Sequence, residues 1–103
     1  MIPEPLLEEA ARHFALLGDP TRLRLLGVLH AMGELAVGDL AERAGIGREN
    51  VSQHLSRLAA AGLVARRRRA TSVLYHIADE TLDDICALVC DGVRKRAAML
   101  VAE

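Results

Sequence analysis

Apolar residues recur along most of this chain at the spacing of amphipathic helices, and glycines mark the places where that rhythm breaks. Leu6, Leu7, Ala10, Ala11, Phe14 and Leu17, set among charged residues, predict a first helix over Pro5 to Leu17, stopped by Gly18. Asp19-Pro20 then offers a capping carboxylate and a proline at the first helical position, where its missing N–H costs nothing. A second helix follows to about Met32, with Leu23, Leu25, Leu26, Val28 and Leu29 as its buried face. Leu35 to Val37 reads as a short apolar connector, and Asp39 to Ala44 as a brief third helix ended by Gly45.

The next helix, Gly47 to Ala61, has two unlike faces. Val51, Leu55 and Leu58 form an apolar stripe, while Arg48, Asn50, Ser52, Gln53, Ser56 and Arg57 fall mostly outside it. Serine and asparagine are middling helix formers, so an exposed face chosen only for stability would carry Glu, Lys and Ala instead. Their side chains, like that of glutamine, can hydrogen-bond base edges. Two short helices joined by the tight turn Gly45-Ile46-Gly47, the second polar outward, form a helix-turn-helix pattern that other helical hairpins can imitate.

Past Gly62 the period changes. Leu63 to Arg69 and Val73 to Ile77 are two β-prone runs separated by Ala70-Thr71-Ser72, which predicts a hairpin. Arg66, Arg67, Arg68 and Arg69 are consecutive, and their mutual repulsion is relieved by a polyanion, although charge runs in general are most often simply solvated. A last helix runs from Asp79 to about Val101, with Leu82, Ile85, Cys86, Leu88, Val89, Val93, Ala97 and Leu100 as apolar positions.

Charge sharpens this picture. The formal net charge of -1 over 103 residues argues against a polyanion partner until it is divided along the chain. Residues 1–47 and 70–103 each carry -3, and residues 48–69 carry +5, an electrostatic footprint confined to one surface. Apolar residues at 51% and charged residues at 26% fit a single globular domain spanning 1–103, and one Phe, one Tyr and no Trp make its core aliphatic. No apolar run approaches the ~18 residues of a membrane span, and Met1-Ile2-Pro3-Glu4-Pro5 lacks the cationic and apolar order of a secretory signal. The expected location is cytoplasmic, on the nucleoid when bound to DNA, where two cysteines are not expected to form a structural disulfide. No nucleophile motif, phosphate-cradling glycine loop or carboxylate pair suggests an enzyme; Asp83-Asp84 reads as the acidic first turn of a helix. His13, His30 and His76 fall on different elements, and His54 belongs to the polar helix.

Taken in order, Leu17-Gly18-Asp19-Pro20-Thr21-Arg22-Leu23-Arg24-Leu25-Leu26, then Val51-Ser52-Gln53-His54-Leu55-Ser56-Arg57-Leu58 and Gly62-Leu63-Val64, resemble the ArsR/SmtB family of dimeric winged-helix repressors over nearly the whole chain. The resemblance implies a mainly α fold with a small β-hairpin, a winged helix-turn-helix of four helices, two strands and a fifth helix. It also implies a homodimer through the first and last helices, operator binding through the fourth helix and wing, and release by an inducer. The family's Cys-X-Cys metal site on the third helix falls on Ala36 and Gly38 and is absent. Of its site on the last helix Asp79 survives, but Thr81 stands where the family has His, and Gly92 and Lys95 occupy the later positions. One donor cannot hold zinc, nickel or cobalt.

Cys86 and Cys90 remain, at i and i+4 on one helix face, with Asp83 one turn before Cys86. Three readings stay open: small buried hydrophobes, a soft-ion site for arsenite or cadmium, or a thiol switch working by oxidation or persulfide formation. No cofactor is required. The resulting expectation is a homodimeric repressor that reads an imperfect palindrome in double-stranded DNA. Arg48, Asn50, Ser52, Gln53, His54, Ser56, Arg57 and Arg66 to Arg69 form its DNA face. The alternatives are a winged-helix protein-interaction module without DNA binding and a repressor whose cysteines are structural.

Overall fold

The computed structural model describes residues 1–102. Helix α1 spans Glu4–Leu17, α2 Pro20–Met32, strand β1 Leu35–Ala36, α3 Val37–Ala44, α4 Arg48–Ala60, β2 Val64–Arg69, β3 Ser72–Ile77 and α5 Leu82–Ala102. The fold is a winged helix-turn-helix with a three-stranded antiparallel sheet in the order β1-β3-β2. The expected plan of two strands is therefore corrected by one. Leu35 and Ala36 pair with Tyr75 and Leu74, so the presumed connector is the third strand. Its hydrogen-bonding partner lies about forty residues away, beyond the reach of local periodicity.

Local chemistry sets the helix ends. Asp19 accepts the Arg22 backbone N–H at 3.0 Å and holds its own carboxyl below the usual aspartate range through that bond. Two left-handed glycines bracket α4. Gly45 (φ 69°) lets the Ile46 N–H reach the Ala41 carbonyl at 3.1 Å, and Gly62 (φ 78°) lets the Leu63 N–H reach the Leu58 carbonyl at 3.0 Å. Both are six-to-one closures in which the next residue is apolar and packs inward, fixing how α4 enters and leaves.

The core gathers Leu25 and Leu29 of α2, Leu40 of α3, Val51, Leu55 and Leu58 of α4, and Leu63, all fully buried, with Tyr75 and Leu82 closing it. Each such side chain contributes about 1.5–3 kcal/mol through burial. Leu23, expected on the buried face of α2, is exposed instead, together with Leu6, Leu7 and Phe14 of α1. The helix α5 starts three residues later than predicted, because Asp79 Oδ1 accepts the Thr81 backbone N–H at 2.9 Å and the Thr81 hydroxyl at 2.6 Å, forming a turn before the helix. These bonds hold the Asp79 carboxyl below its ordinary range. Among the described side chains of α5 only Leu82 is buried; Leu88, Val89, Val93, Met99, Leu100 and Val101 stand in solvent. No described helix is long and apolar enough to cross a membrane.

Candidate nucleic-acid interface

Because Val51, Leu55 and Leu58 anchor α4 in the core, the helix turns Arg48, Glu49, Asn50, Ser52, Gln53, Ser56 and Arg57 to solvent. The sheet lies against its far end. Ser56, Ala59, Ala60, Arg66 and Tyr75 line one groove of about 330 Å³, so the strand carrying the arginines borders the face carrying the small polar residues. That juxtaposition presents hydrogen-bonding groups beside cations, the combination that reading and gripping a duplex requires.

The individual side chains do not all stand free. His54 is half-buried, and its Nδ1 accepts the Arg22 Nε–H at 3.2 Å, which leaves the ring proton on Nε2. The Arg22 Nη1 donates to the Leu16 carbonyl at 3.2 Å, so one guanidinium ties the end of α1, the start of α2 and the middle of α4 together. The sequence placed His54 among the DNA-facing residues; the structure makes its Nδ1 part of the packing between α4 and α2. Arg48 folds back until its guanidinium lies against Gly38, in space that any Cβ at that position would fill. Arg57 borders a separate groove with Glu9, Arg12, His13 and Leu16 of α1.

The arginine run divides by strand alternation. Val64, Arg66 and Arg68 share the sheet face of Tyr75, whereas Ala65, Arg67 and Arg69 share the opposite face with Leu74 and His76. All four arginines are exposed. On the outer face Arg67 grips Glu34 through both nitrogens of one guanidinium edge, Nε to Oε2 at 2.6 Å and Nη2 to Oε1 at 2.7 Å. This bidentate pair lowers the Glu34 pKa and raises that of Arg67. His76 Nδ1 lies 3.7 Å from the same Oε2 and is buried without a hydrogen-bond partner.

On α5 Cys86 is half-buried and Cys90 exposed, both as free thiols. They border a shallow groove of about 600 Å³ with Asp83, Asp91 and Arg94, and an apolar groove of about 320 Å³ that reaches Phe14, Leu17 and Leu23. Burial, then Cys90, then Asp83 push the Cys86 thiol up. Asp83 Oδ1 is 3.6 Å from His30 Nε2, so its carboxylate is shared between the thiol groove and α2. No cluster of three or more metal-ligating side chains occurs among the described residues.

Residues 17–67 match the family described as a helix-turn-helix domain. A probable mercury resistance operon repressor of Streptomyces lividans is 38% identical over 93 residues, covering 89% of this chain and 74% of that protein. A homodimeric winged helix-turn-helix DNA-binding domain of Mycobacterium bovis, described as a possible ArsR-family regulator, superposes with a TM-score of 0.78 at 34% identity, covering 90% and 85% of the two chains. The antimony-specific transcriptional repressor AntR superposes with a TM-score of 0.80 at 30% identity, covering 95% and 88%.

The chain belongs to the ArsR/SmtB family.

It is a DNA-binding transcriptional repressor of the ArsR/SmtB type, and family members are regulators rather than enzymes. Against that identity two residues escaped the sequence reading, Glu34 and Arg22. Each acts through a side chain far away in the chain, and the only advance signal was the position of Arg22 within the family's opening motif.

Proposed function

We propose that two copies of this ArsR/SmtB chain pair through α1 and α5, so that their two α4 helices enter successive major grooves of an imperfect palindrome. The observation that carries this reading is the division of the surface. Polar α4 and the wing lie on one side, while Leu6, Leu7, Phe14, Val89, Val93 and Leu100 lie exposed on α1 and α5. Ser52, Gln53 and Ser56 would meet base edges; Arg48, Asn50, Arg57, Arg66, Arg68 and Arg69 would meet phosphates. His54 would support the reading helix through Arg22 and face the duplex with its Nε2–H. Half-site centres one helical turn apart, about 34–36 Å, or a multiple of it, follow from the two-fold axis.

Release of DNA falls to Cys86 and Cys90 in this reading. One chain supplies two thiols, and a two-fold pairing of α5 would bring four together, a donor set suited to arsenite, cadmium or another soft ion. Relatives named for mercury and antimony resistance or specificity support that class. Such a ligand can shift the dimer only by its differential affinity for the two states. The test is operator affinity of the reduced protein alone, with arsenite, with cadmium and after mild oxidation, alongside Cys86→Ser and Cys90→Ser. Weakening by a soft ion, lost in either variant, is the expected result. An affinity unchanged by every treatment would leave the cysteines as core-edge packing.

A further inference from the structure

The outer face of the wing carries an acid where a DNA-gripping surface would gain from none. Glu34 closes the turn between α2 and β1, and the pairing of Leu35 with Tyr75 carries its position onto the row of His76 on the next strand. His76 in turn pairs with Ala65, two residues from Arg67 on the same face, so the sheet register delivers the carboxylate to the wing arginine. Glu34 then meets Arg67 in the two-bond, edge-on arrangement by which a guanidinium takes a phosphate. Arg69 and His76 also contribute to lowering the Glu34 pKa.

We propose that Glu34 is an internal phosphate mimic that withholds Arg67 from DNA, leaving Arg66, Arg68 and Arg69 as the wing's free cations. The idea rests on the wing meeting the duplex backbone, as in the reading above. It reassigns one arginine that the sequence had counted among the phosphate contacts. A cation already neutralised by a fixed carboxylate adds no counterion release on binding, so Arg67 contributes nothing to the salt dependence while Glu34 holds it. Removing the acid restores one cation per chain and two per dimer.

The consequence has a sign opposite to that of a structural brace. Glu34→Gln steepens the plot of log affinity against log salt by about 0.9 per chain, which for a dimer widens the ratio of affinities at 50 and 200 mM salt by about 12-fold. The gain is equal on all sequences, because phosphates carry no sequence information. Arg67→Ala leaves the Glu34 carboxylate unpaired and does not steepen the slope, and the double variant returns to the wild-type slope.

Fluorescence anisotropy of the full chain on a labelled random duplex, and on the DNA upstream of its own gene, reads all four proteins of this cycle. The Arg67 Nε–H resonance follows the same contact without DNA, and it shifts in Glu34→Gln if the pair exists in solution. A steeper slope in Glu34→Gln that depends on Arg67 supports the proposal. An unchanged slope with weaker binding in Glu34→Gln overturns it and makes Glu34 a brace that orients the wing, and a slope steeper than wild type that persists in the double variant overturns it by showing that Arg67 is not the cation released. Salt-insensitive or undetectable binding by the wild-type protein instead overturns the DNA-binding reading on which the proposal stands.

Discussion

Replacing Val93 by Asp tests the dimer where a change cannot be confused with damage to the core. Val93 is 63% exposed in the single chain, on the part of α5 that stands clear of the body. Fully burying a valine-sized side chain is worth about 1.5–3 kcal/mol, so covering this exposed fraction yields about 1–2 kcal/mol per copy. A two-fold axis presents it twice, giving about 2–4 kcal/mol per dimer, or roughly 30- to 1,000-fold in the dissociation constant. Two carboxylates desolvated near one axis add to the loss. Sedimentation equilibrium measures the dissociation constant directly, and operator titration should show a parallel loss, because each half-site is then bound without the effective concentration its partner supplies. A Val93→Asp protein that dimerises as tightly as wild type would refute the assignment of this α5 face to the interface.

Other expectations follow from single residues. Leu55→Ala empties a fully buried position of α4 and should cost about 2–5 kcal/mol in urea unfolding; a loss under 1 kcal/mol would mean that the core around α4 is loose. Ala70 holds φ 54° at the first of the two residues linking β2 and β3, a conformation that favours glycine, so Ala70→Gly should raise stability by up to about 1 kcal/mol, while unchanged or lower stability would deny the strain. The Glu34 pKa is lowered in the folded chain, so its contribution is fully present above the ordinary glutamate value of 4.5 and fades as pH falls through the lower folded value. Acid unfolding followed by circular dichroism should accordingly be shallower on that limb for Glu34→Gln, and coincident curves would speak against the Glu34–Arg67 pair in solution. Cys86 behaves in the opposite sense: its raised pKa makes stability fall as pH rises past the usual thiol value of 9.0, and Cys86→Ser should flatten that alkaline limb.

What could be read in the sequence was what local spacing determines. The α4 stripe of Val51, Leu55 and Leu58, the Asp19 cap and the glycines closing α3 and α4 all speak through neighbours within a turn or two. What escaped was set by partners far away in the chain. Two residues are too few to show strand alternation, so β1 became visible only through its pairing with β3. Leu23 has the periodicity of a buried residue yet is exposed, because α2 is apolar on more than one side and its spacing alone does not say which side meets the core. The arginine run gave its charge but not its division between two faces, nor the Glu34 carboxylate waiting 33 positions before Arg67. His54 likewise carried a plausible reading role by position, and only the contact with Arg22 tied its Nδ1 to α2.

The most direct test of the central claim, that α4 reads DNA sequence, is the affinity of wild type and Gln53→Ala for the upstream DNA of the chain's own gene and for a random duplex at one salt concentration. Wild type should prefer the upstream DNA by at least about 10³-fold. Gln53→Ala should lose about 1–3 kcal/mol per chain on that DNA while binding the random duplex as before. Equal losses on both duplexes, or no preference in the wild-type protein, would contradict it.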